Sequence, residues 1–208
     1  MVLCTFAHML FRRCFWVLLL LPMQLMYSQE NLDTKTPKLV EASISLPKAF
    51  TSGEWFKFRI HYGIFNASFA TIELKETTWE GKRVYHAKGV GKTTGLARWV
   101  FKVDDYYDSY FDKHEVRPLY FIRNINEGGY KKHLTIRFDH ENKTATVNDL
   151  LKQQKGTYQT KPNIQDLISC FYYLRENLDI STIKKNDFVV VNMFFDSENY
   201  AFKFKFVG

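Results

Sequence analysis

From Gly53 to the last residue the chain is cut into short runs in which apolar and polar residues alternate, and this period of two constrains the fold more than any other feature. In EWFKFRIHY, Phe56, Phe58, Ile60 and Tyr62 fall on one face of an extended chain, with Trp55, Lys57, Arg59 and His61 on the other. SFATIELKE follows the turn-like GIFNA, and RVYHAKG follows WEGK. PLYFIRN, the turn NEGG, YKKHLTIRF, the turn DHENK and TATVND come next, and later DFVVVNMFF, the turn DSEN and YAFKFKFV. Alternating runs divided by Gly, Asn and Asp turns predict antiparallel hairpins. Their spacing predicts a mainly β fold, a curved antiparallel sheet or a half-open barrel, rather than βα units around a parallel sheet.

One segment breaks the pattern. In NIQDLISCFYYLREN, Ile164, Leu167, Ile168, Phe171 and Leu174 recur at helical spacing, predicting one amphipathic helix over Asn163–Asn177. Asn163 is the expected N-cap, and Asp166 falls at the third helical position, where negative charge is favoured. Cys170 sits in or beside the apolar stripe and reads as a buried, inert thiol.

Residues 1–28 read as a secretory signal peptide: Arg12-Arg13, then the twelve-residue run FWVLLLLPMQLM, then Tyr27-Ser28. That run, interrupted by Pro22 and Gln24, is short of the roughly 20 residues that span a bilayer, so no stable transmembrane segment is expected after cleavage. Met9 is a plausible alternative start, and Cys4 and Cys14 fall within the signal. Residues 29–52 form a polar, Pro-containing extended segment, and 53–208 a single β-rich domain. Cys170 is the one cysteine beyond residue 28, so the domain is held by its core and not by disulfides. Losing Arg12 and Arg13 takes the net charge from +7 to +5. The cations are scattered, with no basic stripe or nucleic-acid module, so nucleic acid is not an expected partner.

GVGKTTG (Gly89–Gly95) looks like the end of a phosphate-binding loop. The position of that motif's first glycine holds His86, inside a strand-like run, and the run VFKVDD begins too soon to leave room for the crossover helix. The resemblance to a nucleotide site is rejected. WVFKVDDYYDSYFD, read as one strand, puts Trp99, Phe101, Val103, Asp105, Tyr107, Ser109 and Phe111 on one face. Asp104, Asp108 and Asp112 share the other, about 13 Å apart, too far to hold one ion. Asp105 is then a lone acid on an apolar face. It requires a structural ion pair or a ligand contact, because an unpaired buried carboxylate is costly. No pattern for a cofactor, a metal or a catalytic constellation is present: no HExxH and no GxSxG. Asn66-Ala67-Ser68 and Asn142-Lys143-Thr144 match the glycosylation acceptor pattern.

GEWFKFRIHYGIFNASFATIELKE, GKTTGLARWVFKVDDYYDSYFD, YFIRNINEGGY and NIQDLISCFYYLR resemble the exported bacterial domain-of-unknown-function family 3108, common in Bacteroidota. The resemblance implies an exported, β-rich domain with no assigned reaction. It also implies further strands beyond FKFKFVG, and hence a chain that stops short of them. With the aromatic-rich strands it yields the expectation of a non-catalytic protein of the periplasm or cell envelope. A half-open barrel of this kind is similar to lipoprotein carriers, and would bind an apolar, lipid-like ligand lined by Trp99, Phe101, Asp105, Tyr107 and Phe111. The alternative is a structural or interaction module that pairs with another envelope protein.

Overall fold

The alternating runs fold into antiparallel hairpins. In a computed structural model, which describes residues 49–62 and 65–208, eight strands lie side by side in chain order. They are β1 (Trp55–Tyr62), β2 (Phe65–Trp79), β3 (Lys82–Thr93), β4 (Asp104–Asp112), β5 (Pro118–Glu127), β6 (Tyr130–Asp139), β7 (Thr144–Asp149) and β8 (Gln154–Gln159). β9 (Phe188–Phe195) and β10 (Glu198–Lys205) form a separate two-stranded sheet, and two helices, α1 (Gly95–Val100) and α2 (Ser169–Asn177), complete the fold. The large sheet does not close: among the described residues β1 pairs only with β2, and β8 only with β7. The signal peptide expected at 1–28 and residues 29–48 of the N-terminal segment lie outside the described residues. So do the side chains of Ile60, Tyr62 and the acceptor Asn66.

The turns fall where Gly, Asn and Asp predicted them. Glu80 and Gly81 between β2 and β3, and Asp196 and Ser197 between β9 and β10, all have positive φ. That is the mirror-image turn whose twist matches a two-residue hairpin.

One face of the large sheet, here the inner face, carries the core. Leu74, Tyr85, Phe111, Phe121, Leu134, Ile136 and Phe138 meet Ile164, Ile168, Tyr172, Val191, Met193 and Phe194 from α2, its approach segment and β9. Burying a ring such as Phe111, Phe121 or Phe194 contributes about 2–3 kcal/mol apiece, and with no disulfide among the described residues this is their main stabilising term. Gln165 ties the layers together: its N–H donates to the Asn192 carbonyl and its own carbonyl accepts from the Phe194 N–H, both at 2.8 Å.

The structure departs from the sequence expectations at three places. The helix begins at Ser169 and not at Asn163, because Asn163 has φ +51° and the Gln165 backbone is committed to β9. Asp166 does the capping instead, its Oδ1 accepting the N–H groups of Ile168 (2.8 Å) and Ser169 (2.7 Å). β8 was not foreseen, since QKGTYQ lacks apolar alternation and forms an exposed edge. The run Trp99–Asp112 is not one strand: Gly95 (φ +55°) ends β3's extended course, α1 follows, and β4 starts only at Asp104.

Candidate functional site

Gly89 and Gly91 lie mid-strand in β3, paired with Ile72 and Ala70 of β2 and with Tyr107 and Asp105 of β4. A backbone extended between two ladders cannot curl its N–H groups round a phosphate, so GVGKT is a strand. The two glycines do different things on the inner face. A Cβ on Gly89 would stand 2.8 Å from Ile168 Cδ1, so this glycine admits the approach segment of α2 against the sheet. A Cβ on Gly91 would meet nothing nearer than the Asp105 Cβ at 3.8 Å.

The open position belongs to a row across four strands. Phe58 pairs with Ala70, Ala70 with Gly91, and Gly91 with Asp105. Three strand spacings make the row about 14 Å wide. Its floor, Ala70 and Gly91, is half-buried, and in the next row Ile168 covers Gly89. On one side Phe58 and Phe56 stand 6.1 and 5.4 Å from the Phe171 ring of α2. Asp105 and Tyr107 bound the other side. The result is a shallow hollow on the sheet face, open above Gly91, with aromatic rings at one end and a carboxyl at the other.

Asp105 is 5% exposed, confirming the parity that placed it on the apolar face. Its Oδ1 accepts the Asn126 N–H at 3.2 Å and its Oδ2 accepts the Tyr107 hydroxyl at 3.4 Å. Burial first, then the neighbouring Glu127 carboxyl, pushes its pKa far above the ordinary carboxylate range, and Arg123 offsets this only in part. Burial, then the Asp105 charge, likewise raises Tyr107. Arg123 faces Tyr107 across the β4–β5 ladder, is 3% exposed, and lies over the Phe195 ring at 4.3 Å. It pairs with Asp196 at the β9–β10 turn, which Lys132 also reaches at 2.5 Å. Its Nε has no hydrogen-bond partner among the described residues.

Further along β4, Ser109 donates to Asp166 Oδ2 at 2.6 Å, fastening α2's cap to the sheet. Asp166 is fully buried; burial raises its pKa to about 6 against the pull of the Ser109, Ser169 and Ile168 donors.

Of the five residues expected to line a ligand site, Asp105 and Tyr107 are brought together at the hollow. Phe111 is fully buried in the core, 5.4 Å from Tyr172 and 5.7 Å from Tyr85. Trp99 and Phe101 do not share that face, because α1 removes them from β4: Trp99 is 91% exposed and, with Leu96 and Arg98, borders a separate open depression, and Phe101 packs on Gly128. Sequence reasoning missed Ala70, Gly91, Arg123 and Glu127. Two glycines inside an alternating run signal a close approach to the backbone, which holds at Gly89 and not at Gly91, so that signal does not mark the open position. Cys170 is buried, as expected. Asp104, Asp108 and Asp112 do share the outer face, each with its own partner: Arg98, His86 and the His114 and Glu115 N–H groups.

Among the described residues no group of three or more His, Cys, Asp or Glu could hold a metal ion, and no helix is long and apolar enough to cross a membrane. No curated protein and no solved structure matches the chain. The family model described as "Protein of unknown function (DUF3108)" matches residues 57–208. On that match, spanning most of its length, the chain belongs to the DUF3108 family.

Proposed function

We propose that this is an exported, non-catalytic protein of the cell envelope that binds an apolar, lipid-like ligand with one polar end. The observation that carries the proposal is the row Phe58–Ala70–Gly91–Asp105. Small residues leave space between an aromatic wall and a buried carboxyl, as a ligand site with an apolar body and one polar anchor requires. Arg123, opposite Tyr107 on β5, adds a buried cation whose charge acts on Asp105 at the polar end. The hydrophobic run at Phe15–Met26 supports export. The test is organic extraction of the purified protein followed by mass spectrometry. About one apolar molecule per chain supports the proposal, and extracts indistinguishable from a buffer blank contradict it.

The exposed outer edge of β8 favours a second reading, an interaction module that pairs with another envelope protein through a strand. A protein that carries no extractable ligand and whose β8 amides become protected from hydrogen exchange in envelope extract would support that reading over the first.

A further inference from the structure

The connection between β3 and β4 carries apolar side chains out into solvent. In α1, Leu96 is 79% exposed, Trp99 91% and Val100 88%, and Phe101 beside them is 40% exposed. Large apolar side chains grouped in water are unfavourable unless something covers them. The helix is one and a half turns long and none of its residues is buried; Leu96 and Trp99, with Gly95, Arg98 and Lys102, border a wide-open depression of about 700 Å³, so the apolar side chains stand as a ridge beside a shallow, solvent-facing concavity. A ridge of Trp, Leu and Val matches the boundary between lipid headgroups and acyl chains, where an indole is favoured and no complementary socket is needed.

Charge around the ridge selects the kind of surface. A row on the outer face runs Arg59, Phe69, Lys92, Asp104, and Arg98 of α1 closes on Asp104 with two bonds of 2.9 Å. Lys102 follows α1, its side chain 57% exposed and 3.4 Å from the same Asp104, and Lys131 is exposed beside Tyr130 on β6. Asp104 offsets only part of this charge, so the ridge is flanked by a net positive surface. Headgroup phosphates attract lysines placed this way, and the attraction weakens with salt.

We infer that α1 is a docking ridge for an anionic lipid bilayer, with Leu96, Trp99 and Val100 entering the headgroup–acyl boundary and Lys92, Lys102 and Lys131 meeting the phosphates. The inference goes beyond ligand binding in the hollow and does not depend on it.

Co-sedimentation of the purified protein with vesicles of phosphatidylcholine, alone or with 30% phosphatidylglycerol, tests it. Binding to the anionic vesicles should be at least tenfold tighter and should weaken between about 0.05 and 0.5 M salt. Trp99→Ser with Leu96→Ser should reduce it at least tenfold, as should Lys92→Glu with Lys131→Glu, both with unchanged circular dichroism. Gly91→Val, which fills the hollow, should bind vesicles like the wild type, which separates this inference from the ligand reading. Vesicle binding that ignores the Trp99 and Leu96 changes would overturn it. So would an absence of vesicle binding with the ridge variant converting a dimer to a monomer, which would make the occupant a second copy.

Discussion

Ile168 Cδ1 lies 2.8 Å from the point where a Cβ on Gly89 would stand, so the absence of one side chain in mid-strand β3 sets how closely α2 approaches the sheet. Gly89→Ala should therefore displace Ile168 and cost about 1–3 kcal/mol, the range for overpacking a filled core. Gly91→Ala, one pleat away and facing open space, should leave stability within about 0.5 kcal/mol or raise it. Urea unfolding of the two variants side by side checks the contrast, and equal costs would mean that the two glycines are not distinguished by what covers them.

The bond between Ser109 and Asp166 joins β4 to the start of α2. Asp166→Ala removes the acceptor for Ser109 and for two backbone N–H groups in a fully buried place, and should cost about 3 kcal/mol or more. Ser109→Ala leaves the cap intact and the carboxylate one donor short, at about 1–2 kcal/mol. Reversing that order in denaturant unfolding would contradict the role given to Asp166.

Asp105 and Asp166 both hold their protons more tightly in the folded protein than in the unfolded chain. A raised carboxyl contributes stability in full below its unfolded value, near 3.8, and loses it as pH rises through the folded value, about 6 for Asp166. Asp105→Asn removes one of these losses. Relative to the wild type, the variant should gain stability as pH is raised from 5 to 8, seen as an upward drift in the difference between their Tm values. A pH-independent difference would mean that Asp105 is ionised throughout.

Asp196 anchors the β9–β10 turn to Arg123 and Lys132. Asp196→Ala should cost about 1–2 kcal/mol, less than a fully buried pair because Asp196 is itself partly exposed. It should also speed amide exchange in β9 and β10 more than in β4 or β5. Uniform acceleration would show that the hairpin has no independent tether.

Most of the strand pattern was legible because each inner strand has a core face and a solvent face, and a period of two survives in the sequence whatever the strand order. The same parity correctly picked out Asp105 as an acid among apolar neighbours. It failed when carried back through Phe101 to Trp99, because alternation alone cannot show that Gly95 turns the chain into a helix whose Arg98 clasps Asp104. β8 was invisible for the opposite reason: an edge strand with little to bury keeps no alternation. The hollow was out of reach because it is defined by cross-strand register, Phe58 to Ala70 to Gly91 to Asp105, and by a helix approach arriving from Ile168, some 80 residues on from Gly89. The Arg123–Asp196 contact is equally long-range and no local spacing encodes it.

The central claim, that the space above Gly91 holds an apolar ligand, is tested most directly by titrating the wild type and Gly91→Val with a fluorescent fatty acid. The wild type should bind saturably near one molecule per chain. Gly91→Val, whose Cβ has room above the sheet and meets only the Asp105 Cβ at 3.8 Å, should bind at least tenfold more weakly with the fold retained by circular dichroism. Equal binding by the two proteins, or no saturable binding by the wild type, would contradict the claim.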